Sequence, residues 1–315
     1  MAMNKTVLIT GGFGLLGGRL GQYLFGNYNV ILASRIDQVA PDWLPLSETI
    51  KIDWESEMSL LNACKSVDII IHASGLNAQE CGDDPEKALL VNGTYTQRLV
   101  DAAVKQGVKK IIYLSTAHVY SNNLTGVVTE DMPVTNEHPY ATSHVVGERA
   151  VLSAANQGDI GGAVVRIANA FGRPVNKDVN CWMLLVNDLC KQAVVENSLI
   201  LYGDSATVRD FVTIVDFCST IKFLIEDKGA SGNVINIGSG KARTIGEMAE
   251  KVQFICKNVL GFEPPIIYNK ESSIKKITFD FRTDYLNNTG FEFANDFDKE
   301  IKDLIIFCKE NFTHD

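Results

Sequence analysis

Apolar positions along this chain fall into two alternating rhythms. Val7-Leu8-Ile9, Val30-Ile31-Leu32-Ala33, Ile69-Ile70-Ile71 and Ile111-Ile112-Tyr113-Leu114 are short, nearly continuous runs. A strand buried on both faces of a parallel sheet reads this way. Between the runs, apolar residues return at helical spacing, as through Leu20, Tyr23, Leu24 and Phe25. The pattern predicts strands over 6–10, 30–34, 50–52, 68–73, 110–114 and 163–167, and helices over Met58–Lys65, Pro85–Gly107 and Tyr140–Gln157. Ser74–Gln79 reads as a loop. Strands alternating with helices of this length imply right-handed βαβ crossovers and a doubly wound parallel sheet. Farther along, 199–203 and 234–237 read as strands and 215–227 as a helix returning to the main sheet. Thr244 caps a helix through Val252, with Glu247 at the capping-box position, and Phe297–Phe312 is a closing amphipathic helix.

The turn between the first strand and the first helix is Thr10-Gly11-Gly12-Phe13-Gly14-Leu15-Leu16-Gly17-Gly18. A strand, a glycine-studded turn and a helix in that order make a cradle for a pyrophosphate. Gly11 serves the tight turn, Gly14 the close approach of backbone to phosphate, and Gly17 the packing of helix on sheet. The helix N-terminus then offers free N–H groups to the anion. Gly11, Phe13, Gly14, Leu15 and Gly17 are therefore cofactor-binding candidates in a Rossmann-type sheet. Arg35 ends the second strand, 24 residues after Gly11. An acidic residue there binds the 2′-hydroxyl of NAD, whereas an arginine accommodates the 2′-phosphate of NADP. Arg35 thus leans toward NADP, and Asp37 keeps NAD open. Asp53, at the tip of the third strand, suits the adenine amino group. Ligands of such sheets bind at the carboxyl ends of the strands, so the segments after Thr10, His72 and Leu114 converge on one cleft. Ala73, Ser74 and Asn92 are assigned to its cofactor side. His72 itself reads as a packed, hydrogen-bonded core histidine.

A formal charge of −9 argues against nucleic acid or an anionic membrane as the main partner. No apolar run approaches the ~20 residues a membrane helix needs. The seven cysteines are scattered, with no Cys-x-x-Cys pair, which points to reduced thiols, a cytoplasmic protein and no metal site. A core strand starting at residue 6 leaves no room for a signal peptide.

The fifth strand runs into Ser115-Thr116-Ala117-His118-Val119-Tyr120, and a helix opens at His138-Pro139-Tyr140-Ala141-Thr142-Ser143-His144. Tyr140 and His144 are four apart, on one helix face. At these residues the chain resembles the extended short-chain dehydrogenase/reductases, the NAD(P)-dependent epimerase/dehydratase family acting on nucleotide sugars. TGGFGLLG, Asp53, HASGLNA, VNGT around Asn92, LSTAHVYS, HPYATSH, Arg166 with NAFGRP, YGDSATVRDFV and NVINIGSG occur in the family's order along nearly the whole chain.

The resemblance implies Thr116 and Tyr140 as the catalytic pair, Tyr140 as base and acid, and His144 at the position of the family's lysine. It implies that residues 1–168 form the dinucleotide-binding domain and 169–315 mainly a smaller α/β substrate domain, with 215–227 and 234–237 returning to the first. It further implies Arg209 against the nucleotide-sugar diphosphate, Asn169 facing substrate, and a homodimer bundled through Pro85–Gly107 and Tyr140–Gln157. His118 is placed to line the cleft. Asn77 stands where UDP-hexose 4-epimerases usually carry a lysine.

Two departures sharpen the chemistry. Family dehydratases carry an Asp-Glu pair after the catalytic threonine, and here Ala117 and His118 stand there, which disfavours 4,6-dehydration. At the lysine's position, a histidine of ordinary pKa ~6.5 is mostly neutral at pH 7 and supplies less positive field to Tyr140. Three readings stay open: a base that works best at higher pH, a proton relay through His144, or a cofactor-binding module with vestigial catalysis. The favoured function is hydride transfer at C4 of a nucleoside-diphosphate hexose or heptose, by a 4-epimerase or a C4 dehydrogenase/4-ketoreductase of surface-polysaccharide sugar biosynthesis.

Overall fold

The computed structural model describes residues 5–269 and 278–313. Five strands open the chain: β1 (Thr6–Thr10), β2 (Asn29–Ser34), β3 (Glu48–Lys51), β4 (Ile69–His72) and β5 (Lys110–Thr116). With the strands Gly161–Ile167 and Val234–Ile237 they form a seven-stranded sheet, in the order 234–237, 161–167, β5, β4, β1, β2, β3. Its strands run parallel. All four residues of β4 are buried, as its unbroken Ile69-Ile70-Ile71 run requires when helices cover both faces.

The helices are α1 (Leu15–Leu24), α2 (Glu57–Cys64), α3 (Ala78–Asp83), α4 (Pro85–Ala88), α5 (Tyr95–Gln106) and α6 (Pro139–Gln157). α2, α5 and α6 pack side by side on one face. Their core includes Leu8, Ile52, Leu60, Leu99, Ile111, Val151 and Val164. Near α1, Lys222 donates to Asn27 and Tyr28 to Glu226, joining that region to the end of the helix Ile214–Glu226.

Two expectations differ from what is observed. Residues 74–79 are not wholly loop, because Asn77 and Glu80 form a reciprocal capping box that starts α3. The helix expected over Pro85–Gly107 is one rod only in outline. Leu89–Thr94 winds as a π-helical turn between α4 and α5. There Gly93 lies so close to α6 that a Cβ on it would sit 2.9 Å from Val146 Cγ1. The widened turn thus coincides with the close packing of Gly93 against α6.

Contacts divide the chain into two compact units. One holds 1–123, 130–167 and 220–236; the other holds 124–129, 168–219 and 237–315. The second has its own core, with Phe171, Leu189, Phe211, Val252, Ile301 and Leu304 fully or nearly buried. Three of its cysteines, Cys190, Cys256 and Cys308, lie in that core, and all seven cysteines are buried and free.

Candidate active site

The strand order reverses direction between β1 and β4, and the crevice at their carboxyl ends is where such sheets take ligands. Thr10 forms its floor. Its hydroxyl accepts from the backbone N–H groups of Ala73 (3.1 Å) and Ser74 (3.2 Å) and contacts His72 Nδ1 at 2.7 Å. The two N–H groups are thus engaged in fixing the loop. Gly11 crosses here with φ +66°, and a Cβ on it would lie 2.8 Å from the Ala73 carbonyl. A side chain at Gly17 would fall on the Gly11 carbonyl oxygen. Exposed Gly14 leads into α1, whose N-terminus has no side-chain cap and no acid in its first turn. Uncapped N–H groups beside a glycine cradle fit a pyrophosphate. Phe13 packs edge-to-face on Trp43, ring centroids 6.1 Å apart.

Beyond the carboxyl end of β2, Arg35 is exposed and makes no hydrogen bond or ion pair among the described residues. Asp37 is tied to Lys51 at 2.9 Å. Asp53 is exposed, with one carboxylate oxygen accepting from Glu55 N.

The second cluster stands where β5 meets α6. Thr116 ends β5, with its side chain beside the Tyr140 phenol. Burial raises the Tyr140 pKa, and the neighbouring Thr116 hydroxyl opposes that rise. His144, one turn along, meets the Tyr140 ring edge-on with centroids 4.6 Å apart. His118, half-buried in the turn after Thr116, gives its N–H to Thr116 Oγ1 at 3.1 Å. Asn92, in the π turn, is fully buried. Its Oδ1 accepts from Leu76 N at 2.8 Å, and its Nδ2 donates to Ser143 Oγ at 3.1 Å. Asn77 spends its Oδ1 on the cap of α3.

Burial drives His144 down to about 4 and His72 to about 3. Both rings are neutral at pH 7, so the relay titrating near neutrality at His144 loses its basis. The same shifts bear on stability. Each folded pKa lies below the unfolded ~6.5, so the unfolded chain binds more protons as pH falls. Stability is complete above about pH 6.5 and declines as pH drops toward the folded values. His144→Gln should therefore flatten the loss between pH 6.5 and 4, read as the urea midpoint at each pH. A wild-type curve no steeper than the variant's would remove His144 from this account.

Asn169 and Arg209 belong to the second unit. Asn169 donates from Nδ2 to the Asp210 carbonyl at 2.8 Å. Arg209 is half-buried, its pKa held down by that burial, and its guanidinium donates to the Val208 carbonyl. Its partner across the short antiparallel pair is Arg243, a second cation that the motifs did not single out. Tyr113 and Gly147 were also missed, since each reads as ordinary strand or helix filler.

An α/β crevice with a glycine cradle defines a dinucleotide-binding fold. The family model described as "NAD dependent epimerase/dehydratase family" matches residues 7–238, and the chain belongs to that family. It is 26% identical over 259 residues to the low-salt glycan biosynthesis protein Agl12 of Haloferax volcanii, covering 78% of this chain and 81% of that one. It is 27% identical over 289 residues to the UDP-glucose 4-epimerase of Bacillus subtilis, covering 82% and 83%. Among solved structures, MoeE5 in complex with UDP-glucose and NAD superposes with a TM-score of 0.79 at 22% identity, over 97% of this chain and 99% of that one. Among the described residues no helix is long and apolar enough to cross a membrane, and no group of three or more His, Cys, Asp or Glu could hold a metal ion.

Proposed function

We propose that this chain is a nucleotide-sugar oxidoreductase acting at sugar C4, as a 4-epimerase or a C4 dehydrogenase/4-ketoreductase on a nucleoside-diphosphate hexose or heptose. The observation carrying this reading is the placement of the Tyr140 phenol beside Thr116, with His144 packed edge-on against it. Bound NAD(P) would supply the hydride acceptor and donor. The chain's own part is to hold the sugar oxygen by Thr116 and to move its proton through the Tyr140 oxygen. Gly11, Phe13, Gly14, Leu15 and Gly17 would hold the pyrophosphate, Asp53 the adenine and Asn92 the inner loop. Arg209, with no carboxylate partner among the described residues, is suited to the substrate diphosphate, with Arg243 opposite. Asn169, Asn77 and His118 are the further substrate-side candidates. Without an acidic pair after Thr116, elimination of water lacks its acid and base.

An Arg35 unpaired among the described residues and an Asp37 occupied by Lys51 support NADP over NAD. Exposed Leu89, Leu90 and Val146 support a homodimer through the π turn and α6. Seven free, buried thiols support a reducing, cytoplasmic setting.

A second reading is favoured by the neutral state of His144: a cofactor-binding module with little turnover. One experiment separates them. Purified protein is denatured to release and identify bound NAD(P) and nucleotide, then assayed on UDP-glucose, UDP-galactose, dTDP-glucose and GDP-mannose. Conversion at C4 on any member supports the enzyme. Silence across the panel with firm NAD(P)H binding supports the module.

A further inference from the structure

We propose that Tyr113 is a positioning residue for His144, its hydroxyl donating to Nδ1 and holding the ring as the neutral Nε2–H tautomer. Tyr113 stands on β5, fully buried among aliphatic neighbours, and its Oη lies 2.8 Å from His144 Nδ1. The two rings are 5.8 Å apart and tilted by 39°.

The direction of the proton follows from what surrounds the pair. Thr10 Oγ1 accepts two backbone N–H groups, so its own proton goes to His72 Nδ1. His72 then donates through Nε2 to Thr96 Oγ1 at 2.9 Å. Thr96 passes its proton to the Asn92 carbonyl at 2.8 Å. That carbonyl is 3.4 Å from Tyr113 Oη, a poor second partner beside a bare ring nitrogen at 2.8 Å. The phenol therefore donates to Nδ1, and the ring proton sits on Nε2.

Nε2 has no hydrogen-bond partner among the described residues. The neighbouring Cε1 lies 3.9 Å from where a Cβ on Gly75 would stand, in the exposed loop that ends β4. The free N–H is thus on the side of the ring away from Tyr113. Gly147, three residues after His144, makes the arrangement possible. A Cβ there would be 2.6 Å from Tyr113 Oη and 2.6 Å from the Asn92 carbonyl. Tyr113, His144 and Gly147 form one fitted set, in which a neutral donor replaces a cation. The titratable groups facing this pair are His72 from β4, Tyr140 and Glu148 from α6, and Cys81 from α3.

The cofactor-side role of the N–H rests on the function proposed above; the tautomer does not. The test uses the full chain with 15N-labelled histidine, of which it has five, with His144→Gln identifying the His144 ring. At pH 7 His144 should show a protonated Nε2 and a bare Nδ1. Tyr113→Phe should turn that single pattern into a mixture of tautomers. An Nδ1–H ring in the wild type, or an unchanged pattern in Tyr113→Phe, overturns the proposal. If Tyr113→Phe fails to fold, the wild-type tautomer alone decides. NADPH titration adds the functional arm: Tyr113→Phe should weaken binding about fivefold in the wild type and less than twofold in a His144→Lys background. With the tautomer confirmed but binding equal in both, the positioning stands and the reading of His144 as cofactor donor falls.

Discussion

Tyr140→Phe should abolish turnover while leaving the fold and NADPH affinity in place. The substitution removes one oxygen and keeps the ring that packs on His144 and among Leu76, Cys81 and Ala88. That oxygen belongs to the only phenol placed beside both Thr116 and His144 among the described residues. Losing a positioned acid–base group costs about 10²–10⁴-fold in rate. Loss of a single buried hydroxyl's hydrogen bond costs about 1 kcal/mol of stability. The expected result is a kcat lower by at least about 10²-fold on whichever panel sugar the wild type converts, with the NADPH dissociation constant changed less than threefold. A kcat within tenfold of wild type would remove Tyr140 from the chemistry.

The largest stability effect should come from Glu148→Ala. Glu148 and Arg166 are a bidentate buried pair: Arg166 Nε donates to Oε1 at 2.9 Å and Nη2 to Oε2 at 2.7 Å, with both side chains 7% exposed or less. Ser115 adds a third donor at 2.6 Å, and the guanidinium lies 4.6 Å from the centre of the Tyr120 ring. Removing the carboxylate takes away the ion-pair partner of this buried cation, a loss of about 3–5 kcal/mol. The pair also sets geometry. Glu148 is one turn beyond His144 on α6, and Ser115 precedes Thr116 on β5, so these bonds fix α6 against the strand that carries Thr116. Urea unfolding at pH 7 should show the full loss for Glu148→Ala. It should show most of it recovered in Glu148→Leu with Arg166→Met, where no charge is stranded. A loss below 1 kcal/mol in the single variant would show that the ion pair is not what holds α6 in place.

Particular residues show how far the chain could be read. Ile69-Ile70-Ile71 announces a strand buried on both faces because no amphipathic alternative fits it, and β4 is such a strand. The glycine loop was legible because φ and close approach are properties of residue type, and Gly11 and Gly17 stand where a Cβ has no room. The π turn at Leu89–Thr94 was not legible, since the contact between Gly93 and Val146 joins segments far apart in sequence. The capping box of Asn77 and Glu80 is written in the sequence, but it straddles the end of Ser74–Gln79, which reads as loop. Tyr113 was hidden for a different reason: in a strand with two buried faces, an aromatic residue reads as packing. Only the histidine at position 144, which leaves a ring nitrogen to be satisfied, gives its hydroxyl a purpose. The neutrality of His144 was half legible, from its ordinary pKa, and burial completes it.

At the centre of the account is a phenol that takes the sugar's proton beside an uncharged imidazole. The pH dependence of kcat/KM for the wild type and for His144→Lys tests this most directly. Burial raises the Tyr140 pKa, and His144 at about 4 adds no positive charge near neutrality. The rate should therefore climb through a single ionisation above pH 7, and His144→Lys should move that ionisation to lower pH. A wild-type limb between pH 6 and 7, or a limb that stays where it is when His144 becomes lysine, would contradict it.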